Sequence, residues 1–263
     1  MKTPYTMQSA ECGLRSAELN TQHATRNTQH SPLRASPAFT LIELLIVISI
    51  IAILAALTFP AVSAARISIM RKRAQAELTN LETAIERYHD KLGVYPPDNP
   101  PTHAPPAQLT DWATSQLYYE LLGTTNSSGV FHTLDDSDQI AASALPGAFG
   151  AGSTVTGFMN CSRGGEDGLA GGVPFVKGLK AAQFQRITNA PSPTPVMVLG
   201  TSLDGPLIFQ SNQGAKLNPW RYNSSSPRYN PKTYDLWIDV TAGSKTNRIC
   251  NWSEKPLIVS TPY

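Results

Sequence analysis

Between Phe39 and Ala65 the chain reads FTLIELLIVISIIAILAALTFPAVSAA, in which Glu43 is the single charged residue. About twenty helical residues rise about 30 Å, the thickness of a bilayer's hydrocarbon core. A helix at the edge of a soluble core keeps a polar face, and this run is apolar all round. It predicts a helix that spans a lipid bilayer, with everything after it carried by one N-terminal anchor.

Beyond the run the pattern changes from uniformly apolar to amphipathic. Leu78, Leu81, Ile85, Tyr88 and Leu92 recur at three- and four-residue spacings, which puts them on one helix face, while Arg71, Lys72, Arg73, Glu77, Glu82, Glu86, Arg87, Asp90 and Lys91 suit water. Gly93 is a C-terminal stop and Pro96-Pro97 prevents continuation. One helix is therefore predicted from about Phe39 to Leu92, with a bend at Pro60, because proline removes a backbone hydrogen bond.

The segments on either side are of different character. Residues 1–38 are polar and repeat Asn20-Thr21-Gln22-His23 as Asn27-Thr28-Gln29-His30, a stretch with nothing to pack, read as a cleaved or disordered leader. Asp111–Leu122 reads as a short amphipathic helix with Thr110 as cap and Gly123 as stop. The stretch 124–178, rich in glycine, serine and aspartate, predicts long loops. Strands are expected at Pro195–Leu203, Leu207–Gln210, Thr233–Val240 and Leu257–Thr261. The fold class that follows is α+β: a long N-terminal helix, membrane-spanning in its first half, packed on a small antiparallel sheet. The expected divisions are 1–38 leader, 39–65 transmembrane half, 66–93 soluble half of the helix, and 94–263 a head with long loops.

Several function classes lack the residues they need. No basic face of a nucleic-acid binder is present, and removing residues 1–38 leaves acidic and basic residues in equal number. Gly200-Thr201-Ser202-Leu203-Asp204-Gly205 lacks the spacing of a hydrolase nucleophile elbow. The glycine-rich 164–172 stretch has no phosphate-loop lysine. His89, His103 and His132 have no metal-ligand partner at helical spacing. Trp112, Trp220, Trp237 and Trp252 could stack on a sugar, but such tryptophans are more often core residues. No enzyme activity is expected. Cys161 and Cys250 either form a disulfide that closes a long loop or remain two separate thiols.

Glu43 demands a physical reason. A carboxylate within an apolar helix costs several kcal/mol unless it is neutralised or paired. One solution is a cationic amine nearby; another is that Glu43 lies close enough to the headgroups to reach water. The two can apply at different stages.

The segment Ser36-Pro37-Ala38-Phe39-Thr40-Leu41-Ile42-Glu43-Leu44-Leu45 resembles the N-terminus of type IV pilins and type II secretion pseudopilins, and the likeness extends to about Pro97. That resemblance implies a pilin-like fold, prepilin peptidase cleavage between Ala38 and Phe39, and N-methylation of Phe39. It also implies that Glu43 pairs with the N-terminal amine of a neighbouring subunit during assembly. Ala38 stands where the family usually has glycine, and alanine is the next smallest side chain. Pro60 falls where members often carry a helix-bending proline. The implied partners are other pilin or pseudopilin subunits in a homopolymer, the prepilin peptidase, an inner-membrane assembly platform and the lipid bilayer, with no nucleic acid. The implied location is the bacterial inner membrane, single-pass, with the C-terminal domain in the periplasm.

Within the family, Leu92-Gly93-Val94-Tyr95-Pro96 looks like the helix end of major pseudopilins. Asn218-Pro219-Trp220-Arg221, Tyr222 and Tyr234-Asp235-Leu236 resemble their D-P-W-G, tyrosine and Y-D-L pattern, with Asn218 for aspartate and Arg221 for glycine. Major pseudopilins bind calcium in an acidic C-terminal loop. Here Asp239-Val240-Thr241-Ala242-Gly243 is followed by Lys245 and Arg248, a poor set for a cation that takes six to eight oxygens. The Asp135-Asp136-Ser137-Asp138 run could attract a cation but reads as a solvated loop. No cofactor is therefore expected, with calcium the one candidate. The resemblance favours a pseudopilus subunit of type II secretion; a minor type IV pilin in adhesion, motility or DNA uptake, or an exported surface protein that never polymerises, are the alternatives.

Overall fold

The computed structural model describes residues 39–98, 114–149, 153–163, 172–188, 194–210 and 216–260. The first element, α1, is one helix from Leu41 to Leu92. It stops where expected: Gly93 takes a φ of 76°, and its N–H donates to the His89 carbonyl at 2.7 Å. Contacts divide the chain into two compact units inside this helix, between Ala52 and Ile53.

In the second unit the amphipathic stripe is buried as its spacing requires. Ala74, Leu78, Leu81, Ala84, Ile85 and Tyr88 are at most 6% exposed and belong to the head's hydrophobic core, with Leu92 partly buried against it. The expected helix over 111–122 is a single turn and a half, α2 at Leu117–Leu122; residues 114–116 are a bend and turn, and residues 111–113 and the Thr110 cap lie outside the described residues. All six α2 side chains are buried, so it is a core element rather than an amphipathic surface helix.

One small sheet was expected, and the described residues hold three of four strands each. The first contains β1 (Thr124–Ser127), β2 (Val130–Thr133), β3 (Gln139–Ala141) and β4 (Cys161–Arg163), in the order β3-β2-β1-β4. It corrects the long-loop reading of 124–178, and its β1–β4 pair is parallel. Ser128 and Gly129 both have positive φ (52° and 81°), the two-residue turn whose twist matches a β-hairpin. The second sheet pairs β5 (Phe184–Thr188), β6 (Pro195–Thr201), β7 (Phe209–Gln210) and β8 (Lys216–Pro219) in the order β5-β6-β8-β7. Gly200 lets β6 and β8 approach: a Cβ there would lie 2.5 Å from the Asn218 carbonyl oxygen.

The third sheet, β9 (Arg221–Asn223), β10 (Asp235–Ala242), β11 (Lys245–Cys250) and β12 (Ser253–Val259), is antiparallel throughout, in the order β12-β11-β10-β9. Its Tyr222, Leu236, Ile238, Val240 and Ile249 join the same core as α1. Polar ties fix α1 to the head. Arg71 donates to Asn247 Oδ1 (2.7 Å), Arg73 to Ser202 Oγ (3.1 Å), and the Tyr222 hydroxyl to the Pro96 carbonyl (2.8 Å). The architecture is α+β, a long N-terminal helix followed by antiparallel and mixed sheets.

Candidate functional site

At the start of α1 the sequence Thr40-Leu41-Ile42-Glu43 closes on itself. The Thr40 N–H and hydroxyl donate to Glu43 Oε2 at 2.9 and 2.8 Å, and the Glu43 N–H donates back to Thr40 Oγ1 at 3.3 Å. This is a capping box, with threonine at the N-cap and glutamate three residues on. Two backbone donors that the helix leaves open are satisfied, and the carboxylate sits at the positive end of the helix dipole. Phe39 precedes the box and is 79% exposed. The described structure thus places Phe39 and Glu43 on either side of the same first turn; Ala38 lies outside the described residues.

Behind the box, the large apolar side chains from Leu41 to Leu57 are all exposed, on every face of the helix, among the described residues. This is the one helix among the described residues long and apolar enough to cross a membrane. Its hydroxyls are turned inward: Ser49 Oγ donates to the Leu45 carbonyl (2.7 Å) and Thr58 Oγ1 to the Ala55 carbonyl (3.1 Å), so neither needs water. Helical geometry is assigned through Pro60.

Elsewhere the expected candidates are dispersed. Cys161 is half-buried in β4 of the first sheet and Cys250 is buried in β11 of the third, and both are free thiols. Burial pushes the Cys250 thiol up to about 11. Asp239 does not fit a calcium site, because both its oxygens accept from Arg248, from Nε at 2.8 Å and Nη2 at 2.9 Å. In the 135–138 run, Asp138 pairs with Arg186 and accepts from the Tyr119 hydroxyl at 2.5 Å, while Asp135 accepts from Ser137. Trp220 and Trp237 are buried, as tryptophans in a small sheet are expected to be.

Sequence reasoning missed Glu120. It is fully buried in α2 and accepts from the Tyr88 hydroxyl, the Met159 N–H and the Asn160 N–H, each at 2.9 Å. Asn160 in turn donates to the carbonyls of Glu120 and Val173 (2.7 Å each) and accepts from the Val173 N–H (2.8 Å). This network pins α1, α2 and the segment before β4 together. The available signal was a lone glutamate inside the apolar Leu117–Leu122 run, a charge that must have partners when buried.

Residues 33–59 match the prokaryotic N-terminal methylation motif. The chain therefore carries the signature of type IV pilins and pseudopilins, at the head of an exposed apolar helix joined to an α+β fold. That signature implies, in general, processing by prepilin peptidase and assembly with other pilin-type subunits. No curated protein and no solved structure matches the chain.

Proposed function

We propose that the chain is a structural subunit of a periplasmic pseudopilus of a type II secretion system, cleaved before Phe39, methylated there, and assembled through its N-terminal helix from the inner membrane. The observation that carries this reading is Phe39-Thr40-Leu41-Ile42-Glu43 opening a helix whose next residues are apolar on every side. In the monomer Glu43 is held by Thr40. In the filament the amine freed at Phe39 of the next subunit takes a share of that carboxylate, which neutralises two charges in an apolar medium and sets the axial register. The helix end Leu92-Gly93-Val94-Tyr95-Pro96 supports the secretion system over other pilin systems. Asp239, in the segment that stands where major pseudopilins have their calcium loop, is already bound by Arg248, which supports a subunit without calcium at that position.

A second reading, a minor type IV pilin, is favoured by the departures at Asn218 and Arg221 and by the same Asp239–Arg248 pair. Both readings share the maturation step. Mass spectrometry of the protein from cells with an active prepilin peptidase is expected to find N-methyl-Phe39 as the first residue; an intact leader would overturn both. Glu43→Ala is expected to insert normally and to lose intersubunit cysteine crosslinking, and crosslinking at the wild-type level would remove the assembly role of Glu43.

A further inference from the structure

A groove of about 840 Å³ lies between α1, the 175–183 segment and β6. Its walls hold Arg73, Arg87, Lys177 and Lys180 against one carboxylate, Glu77. That carboxylate is already engaged, since Glu77 Oε1 accepts from Arg73 Nε at 3.0 Å. Arg87, Lys177 and Lys180 are exposed, and none of them forms an ion pair among the described residues. The groove therefore carries an excess of cations, with the Oε2 of the buried Glu77 left as an acceptor that has no hydrogen-bond partner among the described residues.

The opposite side of the same helix has the complementary excess. Glu82 follows Arg73 by about two and a half helical turns, so it lies half a turn around α1 from the groove. Glu86 and Asp90 continue that row at four-residue spacing, and both are exposed. No cation pairs with Glu82, Glu86 or Asp90 among the described residues. Like charges at this spacing repel each other along a helix. The crowding shows at Glu82, whose half-buried carboxyl is raised by desolvation and then by Glu86. A helix surface that only meets water intersperses the two signs; on α1 an acidic row and a basic groove occupy opposite sides.

We propose that the groove receives Glu82, Glu86 and Asp90 of a second copy of this chain. Charge complementarity selects that occupant, since carboxylates without cations meet cations without carboxylates. Groove against groove would set like charges together, so the contact is not a two-fold one. It joins different faces of identical subunits, and every pair formed leaves one groove and one acidic row free for the next copy. A contact of this kind repeats along an open helical array when it does not close into a ring. It rests on the filament reading, and adds to the pairing at Glu43 a second contact, made between heads.

The test is zero-length carbodiimide crosslinking of the full-length protein in membranes of cells with an active prepilin peptidase. The dimer band is digested and its joined peptides are identified by mass spectrometry. The expected product joins Lys177 or Lys180 to Glu82, Glu86 or Asp90. Reversing the charge of the groove (Arg87→Glu with Lys180→Glu) or of the row (Glu86→Lys with Asp90→Lys) is expected to remove the dimer. All four changes together should restore it through positions 180 and 86 or 90, a recovery that damage to the fold cannot imitate. Should the variants fail to fold, the wild-type product alone decides. Cysteine crosslinking between N-terminal helices in the same membranes reports assembly itself. Where that crosslink forms and the carbodiimide product is absent, survives either reversal, or joins the lysines to a different acidic protein, the head contact is overturned and the filament reading stands. Where neither crosslink forms, the filament reading falls and the head contact with it.

Discussion

Glu43 and Glu120 show two ways in which this chain accommodates a carboxylate in apolar sequence. Glu43 is held by its own helix terminus, through Thr40. Glu120 is held by donors up to 40 residues away. Burial raises the Glu120 carboxyl above its ordinary 4.5, against the lowering effect of the Asn160, Met159 and Tyr88 donors. Its folded value therefore exceeds the unfolded one, so its contribution is full below about 4.5 and is lost as pH rises through the raised value. Relative to Glu120→Gln, which does not titrate, the wild type should lose stability over that rise and then level off, as urea unfolding across a pH series would show. Glu120→Ala strands the buried Tyr88 hydroxyl and Asn160 N–H and should cost about 3 kcal/mol by the same measurement. Cys250 provides a third residue-level test. With its thiol pushed up to about 11, alkylation of the folded protein at pH 8 should be about 100-fold slower than in urea and should rise roughly tenfold per pH unit towards pH 10. A rate that is flat with pH would show that access, not ionisation, limits the reaction.

At the scale of elements, α1 combines two environments in one continuous helix. Its exposed apolar first part suits lipid, and its stripe from Ala74 to Tyr88 suits a protein core. Ile85→Ala should cost about 2–4 kcal/mol, because it empties a fully buried site. Lys91→Ala, exposed on the same helix, should stay within about 0.5 kcal/mol; denaturant midpoints of the two variants compare them directly. The helix was legible because its signals are local and sustained: hydropathy, three- and four-residue spacing, a glycine stop. The sheet of β1–β4 was not legible, since its strands have three or four residues and include Thr124-Thr125-Asn126-Ser127, too short and too polar for an alternating pattern. The Ser128-Gly129 turn was the readable clue, and the glycine-rich surroundings hid it.

For the molecule as a whole, the second compact unit contains its own core, drawn from α1, α2 and the sheets. A fragment of residues 66–263 keeps every α1 residue in that core, so it should remain folded in water without detergent. Its near-UV circular dichroism and its unfolding cooperativity should match those of the full chain in micelles. A molten spectrum would show that residues 41–65 are needed for folding and not only for anchoring.

By itself, the sequence determined that the chain carries, from Phe39 onward, a membrane-length helix bearing a pilin-type signal, and which face of its later half would be buried. Those properties rest on residues within a turn or two of each other, where spacing and polarity decide the outcome. Tertiary structure decided which carboxylate met which cation. Asp239 was readable as a possible calcium ligand until β11 brought Arg248 across from it. Arg221 looked like a mere departure from a glycine until the sheets closed around it and left its guanidinium without a hydrogen-bond partner among the described residues. The physical reason is the same in both cases: burial and pairing of charge depend on strand register between segments distant in the chain, and no local pattern encodes that.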